Sequence, residues 1–340
     1  MSQTYTAWAA TEAAAPLQAM TVEPGPLRQE EVEIAVEACG VCHSDLSMLH
    51  NEWGRSRYPL VPGHEVVGRI VAKGPQARGP EIGTRVGLGW YSHSCGACSP
   101  CIDGQQNLCR EAGETIVGRH GGFAEKVRSH WIWAIPIPEG IDPVAAGPLF
   151  CGGITVFHPF LHFGLKPTDR VAVVGVGGLG HLALQFARAW GCEVTAFSSN
   201  PDKADEAMQL GAHRVVNSRD KAALKAEAGK HDFVLVTVNV PLDWKQYLSA
   251  LAPNGRLHFV GAVLEPVPVA PFALIGGQKS VSGSPMGTPT TTRLMLDFCA
   301  RHGIAPKIDR FPIAEVNAAL AHVEAGKARY RAVLELPQAG

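Results

Sequence analysis

The sequence predicts a chain of two domains, one a twisted all-β domain and the other an α/β domain built on a parallel sheet. Three observations carry this. From about Tyr5 to Ile135 the chain runs in short apolar stretches broken by glycines. After Pro148, strand and helix patterns alternate. A chain of 340 residues suits two domains at roughly 100 to 200 residues each.

In the first region, "EVEIAVEACG" sets Val32, Ile34 and Val36 against Glu31, Glu33 and Glu37, the period of a half-buried strand. "VVGRIVAKG" and "GTRVGLG" continue the pattern, with a turn at residues 79–83. In the second region, the apolar run Val171 to Val174 ends in glycines and leads into the helical "LGHLALQFARAWG". "EVTAF", "HRVVNS", "HDFVLVTVN" and "GRLHFVGA" read as further strands with helices between them, "DKADEAMQLGA" being the clearest. Apolar strands separated by helices are buried on both faces, which marks a parallel sheet. A helix, "TTRLMLDFCARHG", and a strand, "YRAVLEL", close the chain and are expected to rejoin the first domain.

Composition narrows the function classes. With 46% hydrophobic and 18% charged residues and 37 glycines, the chain reads as globular and rich in tight turns. Thirty basic residues oppose thirty-one acidic ones without a basic block, which argues against nucleic acid or an anionic membrane as partner. No stretch approaches about 18 uninterrupted apolar residues, and the start lacks the pattern of an export signal, so a cytoplasmic protein is expected. Nine cysteines in such a setting point to metal rather than disulfides.

"CGACSPCIDGQQNLC" places Cys95, Cys98, Cys101 and Cys109 where they can wrap one tetrahedral ion. An all-thiolate shell with no open position is a structural zinc site. The iron–sulfur alternative is disfavoured because Arg110, not proline, follows the distant fourth cysteine. A second set is dispersed: Cys42 in "CGVCHSD", His64 in "GHE", and Cys151 in "GPLFCGG". Two thiolates and a neutral imidazole balance a divalent zinc and leave a fourth position open, the catalytic pattern. Asp45 is placed to orient the imidazole, and Glu65 sits beside the metal. Cys39 is expected as a packed thiol. A redox Cys-x-x-Cys pair should open a helix after a strand in a βαβ unit, whereas this one falls in a β-rich region.

In "VAVVGVGGLGHLALQFA", Gly175, Gly177 and Gly180, with Gly178 and Leu179 between them, lie between a strand and a helix. The first glycine turns the chain, the second admits a pyrophosphate, and the third lets helix and sheet pack closely. The following strand, "EVTAF", runs into Ser198, Ser199 and Asn200, with Lys203 one turn further on. Neutral hydroxyls and a lysine there favour a 2′-phosphate and hence NADP(H) over NAD(H). Asp202 lies near the position of an NAD-type acid, but after Pro201 it reads as a first-turn helix residue.

With these motifs, "YPLVPGHEVVG", "AGPLFCGGITVF" and the terminal "ARYRAVLEL", the chain resembles the medium-chain zinc-dependent alcohol dehydrogenases over essentially its full length, most closely their cinnamyl-alcohol-dehydrogenase-like branch. The resemblance implies a medium-chain dehydrogenase fold: a GroES-like catalytic domain, residues 1–151 and 289–340, and a Rossmann domain, residues 152–288, with the active site in the cleft between them. It implies catalytic zinc on Cys42, His64 and Cys151 with Glu65 behind it, Asp45 supporting His64, and structural zinc on the four-cysteine loop, so two zinc ions per subunit. Ser44 would contact the substrate oxygen and begin the proton relay, Thr155 would line the nicotinamide side, and Arg331 would contact cofactor phosphates. A homo-oligomer, dimer or tetramer, follows by the same resemblance. Many relatives finish the relay with a histidine where this chain has Ser47; either the ribose hydroxyl, Ser44 and water carry the proton, or His43 substitutes. Trp90 and Tyr91 are candidates for an aromatic pocket wall or for the core. The expected reaction is hydride transfer between NADP(H) and a primary alcohol or aldehyde, aromatic or medium-chain; the alternatives are a zinc-independent quinone or enone reductase and a non-catalytic dinucleotide-binding protein on the same scaffold.

Overall fold

The computed structural model describes residues 4–337. The chain divides into two compact units: one runs up to Ile154 and resumes at Met286, and the other is Thr155–Pro285. The sequence reading placed the divisions three residues away, after residue 151 and before residue 289. Local packing accounts for the shift. Gly153 faces Leu149 and Met295 so closely that a Cβ would lie 3.0 to 3.1 Å from their side chains. The Met286 carbonyl accepts a hydrogen bond from Asn107 Nδ2 at 2.9 Å. Both segments are thereby tied to the first unit.

The first unit is organised by the long strand Glu31–Val41. It pairs antiparallel with Val66–Lys73, with Lys126–His130 along Glu31 to Ala35, and with Arg331–Glu335 along Ala38 to Val41. The sheet continues through Arg85–Leu88 to Ile135–Pro136 on one side and to Ile308–Pro312 on the other. The C-terminal strand thus rejoins the first domain, as its pattern suggested. Val32, Ile34, Val66, Ile70, Leu88 and Phe123 form the centre of its apolar core. Complete burial of each such side chain contributes about 1.5 to 3 kcal/mol.

The acidic face of Glu31–Val41 departs from expectation. Alternation predicts a solvated face, yet Glu31 and Glu33 are only 9% and 8% exposed. The strand is central, and basic side chains from its neighbours cover the carboxylates. Glu33 accepts from Lys126 at 3.1 Å and Arg128 at 2.8 Å, and Glu31 accepts from Arg119 at 3.2 Å. Glu37 accepts from Arg69 and Arg85.

The second unit holds six parallel strands in the order Arg214–Asn217, Glu193–Ser198, Arg170–Val174, His231–Val236, Leu251–Phe259, Ser280–Gly283. The strand first in sequence, Arg170–Val174, is central, and the direction of winding reverses beside it. Such a switch point, at the carboxyl end of the strands, is where doubly wound sheets bind ligands. The sixth strand, Ser280–Gly283, was not expected: "SVSG" is short and polar, and it survives at the sheet edge by pairing with Leu251–Phe259. Among the described residues, no single helix is long and apolar enough to cross a membrane.

One ion-pair cluster fastens the start of two of these strands. Glu227, with a side chain 6% exposed, meets Arg214, Lys230 and His231. Burial works to raise the Glu227 carboxyl, but the hydrogen bonds from Arg214, Lys230 and His231 outweigh it and hold it at about 2. An unfolded Glu titrates near 4.3, so this contribution is complete above about pH 5 and is lost as pH falls through about 2. Glu227→Gln is expected to destabilise the protein by about 2 kcal/mol at pH 7. In thermal melts, the gap between variant and wild type should narrow below pH 4 and vanish near pH 2; a gap independent of pH would refute the assignment.

Candidate metal centres and dinucleotide turn

Cys42 ends the central strand and is the N-cap of the helix His43–Leu49. Its backbone N–H donates to Asp45 Oδ2 at 2.9 Å, which closes the first turn. The other Asp45 oxygen, Oδ1, accepts from Gly63 N at 2.9 Å and from His64 Nδ1 at 3.0 Å. A carboxylate can only accept, so Nδ1 carries a proton and Nε2 is the ring nitrogen left to bind a metal in place of its own proton. That nitrogen lies 3.3 Å from Cys151 Sγ, and the two thiol sulfurs of Cys42 and Cys151 are 3.9 Å apart. Tetrahedral zinc with ordinary bond lengths would set these separations at about 3.5 and 3.8 Å. Donor atoms of Cys42, His64, Glu65 and Cys151 all lie within 4.8 Å of one another.

The hydrogen bond with Cys151 holds Cys42 well below the usual thiol range despite burial, while the same bond and burial push Cys151 well above it. Two thiol sulfurs and one imidazole nitrogen at these separations are a soft donor set with the spacing of a tetrahedral zinc shell. The residues fit zinc on this ground. Burial lowers the His64 imidazole, but Asp45 and Cys42 outweigh it and raise it.

Glu65 is fully buried, and burial lifts its carboxyl to about 7 against the pull of Arg331. Arg331 was expected at cofactor phosphates. It is instead 6% exposed, and its Nη2 is hydrogen-bonded to Glu65 Oε1. The cause is strand register: Ala332 pairs with Val41 and Val333 with Gly40, which brings Arg331 beside Cys42. Gly40 completes the arrangement. Its N–H donates to the Glu65 carbonyl, and a Cβ there would lie 2.0 Å from Glu65 Oε2.

The remaining residues of "CGVCHSD" separate by burial. Cys39 is fully buried, its thiol donating to the Gly40 carbonyl, and burial pushes it well above the usual thiol range. It is a packed thiol, although the reason offered from sequence was half wrong: this Cys-x-x-Cys does bridge a strand and a helix. Ser44 is half-buried with Oγ 3.8 Å from Cys42 Sγ, Ser47 is buried, and His43 is exposed. Trp90 and Tyr91 take different roles. Trp90 meets the His64 ring edge-on at 5.0 Å, whereas Tyr91 packs on Trp133 of the core. Trp53, against Trp90 at 5.8 Å, had no signal in the sequence beyond its type.

Cys95, Cys98, Cys101 and Cys109 also bring their sulfurs within 4.8 Å, in a loop shaped by the short turns Ser99–Ile102 and Gln106–Leu108. Backbone N–H groups of Ala97 and Cys98 draw Cys95 down to about 7, and burial pushes Cys101 up to about 12. Four sulfurs with no vacancy suit a closed zinc shell.

In the second unit, Gly175 has φ +93° and Gly180 approaches it so closely that a Cβ would lie 1.9 Å from the Gly175 carbonyl oxygen. A Cβ on Gly177 would meet nothing, so the backbone there is open to a ligand. Gly178 and Leu179 complete the turn into the helix Gly180–Trp190, and Lys203 Nζ donates to the Val176 carbonyl inside it at 3.2 Å. Ser198 does not offer its hydroxyl as expected. It is 4% exposed and closes its own loop on the Asn200 backbone. Ser199 and Asn200 are exposed, and the Asn200 side chain caps Asp202, which lies in the short turn Pro201–Lys203. Thr155 is half-buried in the helix Gly152–His162.

A GroES-like β unit carrying two cysteine-rich metal sets and a Rossmann unit with a dinucleotide turn define a zinc-type medium-chain dehydrogenase. Residues 28–139 match the alcohol dehydrogenase GroES-like domain and residues 178–301 match the zinc-binding dehydrogenase domain. The chain belongs to the zinc-type medium-chain alcohol dehydrogenase and aldehyde reductase family, on its cinnamyl-alcohol-dehydrogenase-like side. It is 54% identical to aldehyde reductase AdhA of Synechocystis sp., over 96% of this chain and 98% of that one. It is 37% identical to a probable cinnamyl alcohol dehydrogenase of Oryza sativa subsp. japonica, over 97% and 94%. Its structure matches a cinnamyl alcohol dehydrogenase of Sorghum bicolor with TM-score 0.93 at 35% identity, covering 98% of each chain. The Helicobacter pylori CAD complexed with NADP(H) matches with TM-score 0.90 at 28% identity, again over 98% of each.

Asp45→Asn should weaken zinc at the Cys42, His64, Cys151 set by about 10- to 100-fold, since an amide cannot accept from all three N–H donors. In dialysis against graded chelator followed by metal analysis, zinc loaded at this set should leave the variant at about 10- to 100-fold lower chelator strength than the wild type. Equal retention by both proteins would refute the orienting role.

Proposed function

We propose that the protein is an NADP(H)-dependent, zinc-containing aldehyde reductase and alcohol dehydrogenase acting on primary alcohols and aldehydes, aromatic or medium-chain. The observation that carries this is the convergence of buried Cys42 and His64 with half-buried Cys151, with Asp45 fixing the imidazole. The name of the Synechocystis relative supports an aldehyde substrate, and the NADP(H) complex of the Helicobacter pylori enzyme supports the cofactor.

Cys42, His64 and Cys151 would hold a zinc ion, which supplies Lewis-acid polarisation of the substrate oxygen when bound. The nicotinamide supplies the hydride, and Gly175, Gly177, Gly178, Leu179 and Gly180 would cradle its pyrophosphate. Asp45 keeps His64 in one tautomer and orientation. Ser44, half-buried beside Cys42, is placed to hand a proton to the substrate oxygen during reduction and take it back in oxidation. Trp90 and Trp53 offer an apolar wall beside His64 that suits an aromatic or medium-chain substrate and excludes water. Arg331 balances Glu65, so the metal set is not crowded by an uncompensated carboxylate. On the dinucleotide, Lys203 with Ser199 and Asn200 would face the 2′-phosphate, and Thr155 the nicotinamide. The zinc-independent reductase reading has no use for the Cys42, His64, Cys151 set.

Ser44→Ala is expected to lower kcat by about 100-fold while leaving dinucleotide affinity within about twofold, because the hydroxyl acts only in the chemical step. The comparison is made with deuterated cofactor to establish that hydride transfer limits the rate; unimpaired kcat across pH 6 to 9 (roughly the range in which relays of this kind titrate) would remove Ser44 from the relay and leave His43 to be tested.

For the cofactor, kcat/KM with one good aldehyde should favour NADPH over NADH by about tenfold or more, equivalent to roughly 1.4 kcal/mol. Lys203→Ala should erase most of that preference by slowing the NADPH reaction alone. Equal or better use of NADH by the unaltered enzyme would overturn the assignment and point to Asp202 as the ribose ligand.

A further inference from the structure

An open cleft of about 420 Å³ lies in the first unit, lined by residues that take no part in the metal sets. Four arginines line it, Arg28, Arg57, Arg119 and Arg128, against two glutamates, Glu23 and Glu31. With His120 neutral, two positive charges stand in excess.

The four guanidinium groups divide into two kinds. Arg128 shapes the wall: it donates to the Pro24, Gly25 and Pro26 carbonyls at 2.8 to 3.2 Å and to Glu33 at 2.8 Å. Arg119 donates to Glu31 and to the Arg128 carbonyl. These two hold the loop 24–26 and the strand edge in place. Arg28 and Arg57 are exposed, and among the described residues neither guanidinium has an ion pair or hydrogen bond to protein. Glu23 lines the cleft without pairing to either. The Arg57 guanidinium lies against Gly118, 3.7 Å from where a side chain there would begin. Tyr5, Tyr58 and Pro59 supply apolar walls.

A concave wall of low dielectric concentrates the field of unpaired charges. The planar guanidinium fork matches the paired oxygens of a carboxylate or phosphate. We propose that this cleft is a binding site for a small oxyanion, held between Arg28 and Arg57 on a frame fixed by Arg119 and Arg128. The site is separate from the dinucleotide turn, which belongs to the other unit of the chain, and from both metal sets. Its ligand is a phosphate- or carboxylate-bearing small molecule.

Isothermal titration of the zinc-loaded enzyme, saturated with nicotinamide dinucleotide so that the glycine turn is filled, tests this with two probes, inorganic phosphate and acetate. One molecule of at least one probe should bind per chain with Kd on the order of 1 mM, and the better probe identifies the oxyanion. Arg28→Gln/Arg57→Gln should weaken that binding by about tenfold or more while leaving aldehyde turnover and the melting temperature unchanged. Absence of binding for both probes, or binding unaltered in the double variant, would overturn the proposal.

Discussion

The Asp45 carboxylate is the constraint on which the Cys42, His64, Cys151 set depends. It is fully buried, and three N–H donors converge on it: Cys42 and Gly63 from the backbone and His64 Nδ1 from a side chain. One residue thereby starts a helix, fixes the loop that delivers His64, and selects the imidazole tautomer. A buried carboxylate is costly to leave unsatisfied, so the folded chain keeps all three donors in place. Local folding and metal-site geometry are in this way the same event. The central strand Glu31–Val41 supplies the platform, because Cys42 begins where the strand ends.

What the sequence disclosed and what it withheld divide along a physical line. The four-cysteine loop was legible because its ligands lie within fifteen residues, where spacing alone restricts geometry. The glycine turn was legible because each glycine answers a separate steric need, and the strand and helix around it have strong apolar patterns. Cys42, His64 and Cys151 could be grouped only by the charge and ligand preference of zinc, since 109 residues separate the two cysteines. The partner of Arg331 was not legible at all: the pair to Glu65 spans 266 positions and depends on strand register. Ser280–Gly283 was missed because its pairing, not its composition, makes it a strand. Ser198 was misread for a related reason, since a hydroxyl beside a tight loop first satisfies the loop.

The acidic strand teaches the same lesson about burial. Alternation of Val and Glu describes a strand with one polar face, and that part of the reading holds. Whether the polar face meets water depends on neighbours, and here Lys126, Arg128, Arg119, Arg69 and Arg85 supply five cations. Partly buried carboxylates, Glu33 and Glu37 with two cations each and Glu31 with one, are worth more than exposed surface pairs, since their charges are less screened.

The Glu65–Arg331 pair carries the argument one step further, because it joins the C-terminal strand to the metal set. An ion pair this deep adds little net stability, as the cost of removing both charges from water offsets their attraction. Removing one partner alone would be different, leaving a buried charge beside two thiols. Burial works against charge on Arg331, but Glu65, Cys42 and Cys151 outweigh it and keep the guanidinium charged. A fixed positive charge in that position favours the thiolate form of Cys42, adding to the hydrogen bond with Cys151 that lowers it most. The closing strand therefore contributes to the charge balance around Cys42 and Cys151 as well as to the sheet through hydrogen bonds. That dual dependence explains why a site built from residues 42 to 151 depends on a strand far along the chain: without Arg331–Glu335 paired to Ala38–Val41, the carboxylate of Glu65 would face the two cysteine sulfurs uncompensated.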